Sequence, residues 1–193
     1  TQKSDELFDW LSVLLDDKDV SVRQAASEAL AISAPVFPSG VDIIIHNELR
    51  SFEPNRSKQA FKGLESLCEA WPEVACDHID ELFLETDAEL RLKGAKLLGR
   101  VLVKSGHIGW DLVSWALNDD DPRVRRAAAK TLPKLSKVDT RIATIFSERA
   151  LSDSDSQVRI SAVKAIRSLD KDSGRARELI LKGCLLYTSP SPR

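Results

Sequence analysis

The octet Asp121-Pro122-Arg123-Val124-Arg125-Arg126-Ala127-Ala128 recurs in degenerate form along the chain, and that recurrence limits the fold more than any other feature. Aligned on the basic residue of each copy, the repeats fall at Arg23, Lys58, Arg91, Arg125 and Arg159, with separations of 35, 33, 34 and 34 residues. Such a period, with two helical patterns per copy, predicts an all-α fold: a right-handed α-solenoid of about five helix-pair repeats plus a truncated sixth. Each repeat in such an array buries its apolar face only by stacking on its neighbours.

Composition fits that architecture. With 193 residues, 42% apolar and 30% charged, the chain has enough apolar material for a sizeable core. It contains no apolar run near the roughly 18–20 residues of a spanning helix. One Tyr and eight Gly leave no alternating strand signature. Three cysteines, Cys68, Cys76 and Cys184, form no disulfide framework, which points to a reducing, intracellular and cytoplasmic setting. The sequence lacks Met and opens on Thr1, as expected of a fragment. Residues 184–193 (CLLYTSPSPR) resemble the translation of a transposase adapter used in sequencing libraries, so they read as a non-native tail outside the fold, the mark of an assembled metagenomic or transcriptomic fragment.

The expected domain is one array over residues 1–183, with repeats near 4–33, 41–70, 72–104, 106–137 and 138–169 and a partial one at 173–183. In repeat 1, helix A (4–16) is expected to start at Ser4 as N-cap and to turn Leu7, Leu11, Leu14 and Leu15 to one face. Its helix B carries Val22, Ala25, Ala26, Ala29 and Leu30 inward. Pro35, Pro38 and Gly40 end that helix, and repeat 2 resumes at Val41 with Ile44, Ile45 and Leu49. Repeat 3 points Ile79, Leu82 and Phe83 inward, and repeat 5 points Ile142, Ile145 and Phe146. Pro133 should kink or end helix B of repeat 4, because its ring clashes with the carbonyl four residues back. Trp110 and Trp115 read as packing residues, and Ala26, Gly94, Ala128 and Ala162 share one column of small residues that lets helices approach closely.

Over residues 4–182 these units resemble HEAT repeats. The resemblance rests on the triplets Asp19/Val22/Arg23, Asp87/Leu90/Arg91, Asp121/Val124/Arg125 and Asp155/Val158/Arg159. It implies antiparallel helix pairs stacked into a superhelix whose B helices line the concave side. Independently of it, each Asp stands where helix B starts and can cap its free N–H groups. The Arg four residues on can reach that Asp or the turn of an adjacent repeat, so these eight positions read as structural.

Charge is distributed unevenly between the two helices of a repeat. Residues 1–183 carry 27 basic and 30 acidic residues, which argues against a general nucleic-acid binder. Residues 72–85 hold Glu73, Asp77, Asp80, Glu81 and Glu85 without a Lys or Arg, whereas residues 121–137 hold six basic residues against one acidic. An acidic A side and a basic B side are expected. Lys96, Lys130 and Lys164 stand 34 residues apart on helix B, on the face away from Val124, Ala127 and Ala128, as a ladder. Arg100 and Lys134 extend it, with Arg126 and Arg167 nearby. Such a ladder suits a protein or peptide partner, an acidic one included, or a phosphate backbone.

Catalytic residue types are present without a catalytic arrangement. Cys76 and His78 in Cys76-Asp77-His78 point about 200° apart on a helix, and His46 and His107 have no ligand spacing around them. No cofactor, metal, membrane or small-molecule motif stands out, and the chain reads as a non-catalytic scaffold. Trp110-Asp111-Leu112-Val113 is similar to a segment of the HEAT-like DNA glycosylases, which implies a nucleic-acid-binding alternative. Ser114 stands where that family's catalytic Asp is expected.

Overall fold

Residues 19, 53, 87, 121 and 155, each 34 from the next, stand immediately before five successive B helices, and that register organises the structure. The structure, a computed structural model, describes residues 2–51, 53–105, 109–169, 178, 179 and 181. Among the described residues there are eleven helices and no strand. The tail at 184–193 lies outside them. Of the partial repeat at 173–183 only Glu178, Leu179 and Leu181 are described, all helical, with Leu179 buried.

The chain divides into two compact units, residues 1–84 and 85–193. The first contains α1 (Gln2–Leu14), α2 (Val20–Ser33), α3 (Pro38–Glu48), α4 (Pro54–Ala70) and α5 (Pro72–Phe83). Here α1 packs on α2 and α3, and α2 packs on α4. A-type helices thus stack on A-type and B-type on B-type around Leu11, Leu15, Leu30, Ile45, Leu49, Leu64 and Leu67. Pro38, Pro54 and Pro72 each stand in the first turn of a helix, where a missing N–H costs nothing.

The second unit contains α6 (Ala88–Ser105), α7 (Trp110–Leu117), α8 (Pro122–Ala129), α9 (Leu132–Val138), α10 (Thr140–Ala150) and α11 (Ser156–Ser168). Pro133 divides helix B of repeat 4 into α8 and α9, as its chemistry requires. The chain turns at Lys130 and Thr131, where the Thr131 N–H donates back three residues to Ala128 O at 2.9 Å, and Pro133 falls in the first turn of α9. Both halves keep the stacking, α6 on α8 and α9, and α9 on α11.

Several inward assignments from the sequence are corrected. Leu7 is 45% exposed, and Phe8 is buried in its place. The Phe8 ring lies so close to Gly40 that a Cβ at residue 40 would come within 2.2 Å of it, so glycine there lets α1 seat on α3. Helix α1 already runs at Gln2, so Ser4 is not its cap, and α3 starts at Pro38 rather than Val41. Ala25, Ile145 and Trp115 are exposed, Trp115 by 62%, so the expected packing roles fail at these three positions. In each case the residue lies at the edge of the apolar stripe, one residue from a buried neighbour: Ala26, Phe146 and Ala116.

Candidate interaction groove on the B helices

Three of the five turns that precede the B helices, at 17–19, 119–121 and 153–155, are built from two carboxylates and a guanidinium. Asp19, Asp121 and Asp155 cap their helices by accepting from the N–H of Ser21 at 2.7 Å, Arg123 at 2.7 Å and Gln157 at 2.9 Å. Asp87 accepts likewise from Glu89 N–H at 2.9 Å. Two residues earlier, Asp17, Asp119 and Asp153 accept from the backbone N–H of the capping Asp at 2.7–2.8 Å. Arg23, Arg91, Arg125 and Arg159 each donate from Nη1 to two carbonyls of their own turn, for Arg91 those of Glu85 and Thr86 at 2.9 Å. Arg91 and Arg125 also reach the next turn, with Nε 2.7 Å from Asp119 Oδ2 and 2.9 Å from Asp153 Oδ2. The Asp119 hydrogen bond holds the Arg91 guanidinium above its ordinary range.

Each of these four arginines bonds to the capping Asp of its own helix only through its backbone N–H, which donates to the Asp carbonyl at 3.1–3.2 Å, and not through its guanidinium. The Asp-x-Asp spacing at 17/19, 119/121 and 153/155 was the unread signal for the second carboxylate. The structure also corrects the register of repeat 2. Ser57, not Lys58, stands where the other repeats have Arg: it is buried, and its Oγ donates to Leu49 O at 2.8 Å. Lys58 is exposed one residue further on. With that shift every separation becomes 34, Ala60 joins the buried small column, and Lys62 falls in the register of Lys96.

Of the basic ladder, Lys96, Lys130, Lys134 and Arg126 come together. With Arg123 they line a groove of about 390 Å³ between α6 and the α8–α9 break, floored by Leu92, Gly99, Ala127 and Thr131. Ala127, expected on the opposite face, lies in this groove because residues three apart on a helix are neighbours. Lys134 Nζ stands 3.5 Å from the Cβ position that Gly99 lacks, so the ammonium lies over bare backbone. Lys164, Arg100 and Arg167 are exposed on α11 and α6 and do not line the groove.

The two arginines of the groove are already neutralised. Arg126 donates from Nε to Asp155 Oδ2 at 2.9 Å, and that bond, with the backbone N–H groups of Gln157 and Val158, holds the Asp155 carboxyl down at about 2. Arg123 pairs with Asp121, whose carboxyl it holds at about 2, and with Glu89. The ammonium groups of Lys96, Lys130 and Lys134 have no hydrogen bond or ion pair among the described residues.

A second groove, of about 310 Å³, lies between α3 and α5, lined by Asp42, Ile43, His46, Asn47, Asp77, His78 and Glu81. His78 is 4% exposed with Nε2 2.7 Å from Asp42 Oδ1, and Arg50 Nη2 lies 3.0 Å from Glu81 Oε2. Cys76 is buried beside it in sequence, and among the described residues no His, Cys, Asp and Glu group is arranged for a metal. Ser114 Oγ accepts from Arg149 Nη1 at 3.4 Å. Among the described residues no helix is long and apolar enough to cross a membrane.

Comparison with known proteins agrees with this repeat chemistry. The family profile described as HEAT repeats matches residues 78–167, the stretch in which the Arg–Asp contacts between successive turns are complete. Over that stretch the chain is built of HEAT repeats. The Drosophila melanogaster Mini spindles TOG3 structure is 16% identical, with 95% of each chain covered and a TM-score of 0.57. A designed armadillo repeat protein is 15% identical over 95% of this chain and 92% of its own, with a TM-score of 0.55. A second designed armadillo repeat protein, in complex with the peptide (KR)4, is 14% identical over 92% and 88%, with a TM-score of 0.52. At these identities the chain shares their fold, an all-α solenoid. No curated protein sequence is a significant match.

Proposed function

We propose that this HEAT-repeat chain is a non-catalytic scaffold that holds a protein partner on the face of its B helices, through an acidic segment of that partner. The observation that carries the reading is the groove of Lys96, Lys130 and Lys134, three cations with no hydrogen bond or ion pair among the described residues, around an apolar floor. Cations left unpaired raise the local concentration of anionic ligands and gain most when a partner's carboxylates or phosphates desolvate them. Lys164, Arg100 and Arg167 extend the same face and add long-range attraction rather than a seat. The designed armadillo protein in complex with (KR)4 illustrates a basic peptide held on a related fold; here the groove has the opposite sign and calls for the opposite peptide.

The test is fluorescence anisotropy with a labelled peptide of alternating Glu and Ser, the same peptide with Gln for Glu, and a generic DNA duplex, at low and near-physiological salt. The reading expects saturable binding of the Glu peptide and none of the Gln peptide. Duplex binding that falls steeply with salt while the Glu peptide stays unbound makes the chain a nucleic-acid binder instead. Absence of all binding removes the B face as the docking face.

A further inference from the structure

We infer that the groove between α6 and the α8–α9 break is a seat for one phosphoryl group, carried by a phosphorylated serine or threonine of the partner. This deepens the proposed function and rests on it. The choice of phosphate over carboxylate comes from which cations are free. Arginine presents a planar fork that matches a carboxylate with two parallel bonds, and both arginines of the groove already use that fork on Asp155, Asp121 and Glu89. The groups left unpaired among the described residues are three ammoniums, point charges with no planar preference, delivered by α6, by the turn after α8 and by α9. A carboxylate brings one charge to them. A phosphomonoester brings about −1.5 to −2 near neutral pH and three strong acceptor oxygens.

The surroundings favour a single phosphoryl group over a phosphate backbone. Glu89, Asp121 and Asp155, the partners of Arg123 and Arg126, stand beside the groove, so a chain of phosphodiesters leaving the seat on that side meets carboxylates. A side chain entering alone does not. Gly99 leaves the floor open beneath Lys134, where the neighbouring repeats carry Glu65, Pro133 and Arg167 at the same register. The α8–α9 turn places Lys130 at a helix end with Lys134 in the first turn of the next, so the two ammoniums approach from separate elements.

The experiment is carbon-13 NMR of the lysine ε-methylenes of the full chain, titrated with N-acetyl-phosphoserine methylamide and separately with N-acetyl-glutamate methylamide. The seat predicts that the Lys96, Lys130 and Lys134 signals move together and saturate while Lys164 moves little. Half-saturation should come at about tenfold lower concentration for the phosphoserine probe. Its affinity should fall as pH drops through about 6, where the phosphoryl group takes up its second proton. Lys134→Gln should abolish the concerted shift, and Gly99→Leu should do the same with every charge retained. If the leucine variant loses its circular-dichroism signature of folding, Lys134→Gln decides. Equal affinity for the two probes overturns the phosphoryl seat and leaves an acidic-segment scaffold standing. Equal response of Lys164 and the groove lysines overturns it as well. No response of the groove lysines to either probe overturns both this inference and the reading beneath it.

Discussion

Arg91 clasps Asp119, 28 residues ahead, with Nε 2.7 Å from Oδ2 and Nη2 3.1 Å from Oδ1, while its Nη1 holds the carbonyls of Glu85 and Thr86. One guanidinium therefore fixes the turn before its own helix and the corresponding turn of the next repeat. Arg125 repeats the arrangement on Asp153. Both side chains of the Arg91–Asp119 pair are mostly withdrawn from solvent, at 16% and 9% exposure. Asp119→Ala strands a partly buried guanidinium and removes the bond to the Asp121 N–H. It should cost roughly 2–4 kcal/mol by urea unfolding, and the double-mutant cycle with Arg91→Ala should show coupling of about 1–3 kcal/mol. Coupling near zero would mean that the latch is decorative.

Ser57 and Lys58 differ in consequence as they differ in register. Ser57 Oγ is buried and satisfies the carbonyl of Leu49, so Ser57→Ala should cost about 1 kcal/mol. Lys58→Ala, at an exposed position, should stay within about 0.5 kcal/mol. The reverse order in chemical denaturation would restore Lys58 as the repeat position.

The small column excludes volume. Ala128 is fully buried where α8 meets α6 and α11, so Ala128→Leu should destabilise by about 1–3 kcal/mol or more through overpacking. Ala25→Leu, at an exposed site of α2, should change stability by no more than about 0.5 kcal/mol. Thermal unfolding of the two variants separates these outcomes.

Acid should loosen the C-terminal unit. Asp121 and Asp155 titrate at about 2 in the folded chain, below their ordinary 3.8, chiefly through the side-chain hydrogen bonds from Arg123 and Arg126. Because the folded values are depressed, the unfolded chain binds more protons between pH 4 and 2, and stability falls as pH falls through that window. The urea midpoint should be flat above the unfolded value and drop below it. An Asp121→Asn/Asp155→Asn variant should show a shallower drop, and an unchanged slope would contradict the assignment.

The period was legible because each repeat must place the same contacts in the same order. The Asp caps and Pro133 were legible because their effects are local to the backbone. The register of repeat 2 was not, since Ser57 replaces Arg with a different bond and Lys58 offers a false match beside it. Leu7 and Ile145 were misassigned for a related reason: a periodic leucine or isoleucine carries no mark of which edge of the stripe the neighbouring helix covers. The basic column could be read as spacing. Which of its members converge depended on the α8–α9 turn and on Asp155 and Asp121 claiming the arginines, and both are tertiary facts.

The most direct test of the account compares two triple charge reversals of equal total charge. One is Lys96→Glu/Lys130→Glu/Lys134→Glu in the groove, and the other is Lys18→Glu/Lys58→Glu/Lys137→Glu at exposed lysines outside it. Anisotropy of the labelled Glu–Ser peptide is measured for both beside the unmodified chain, with folding checked by circular dichroism. The account predicts at least about tenfold weaker binding for the groove variant and no more than about twofold for the other. Equal losses would mean that net charge, not the groove, attracts the peptide, and would contradict the central claim.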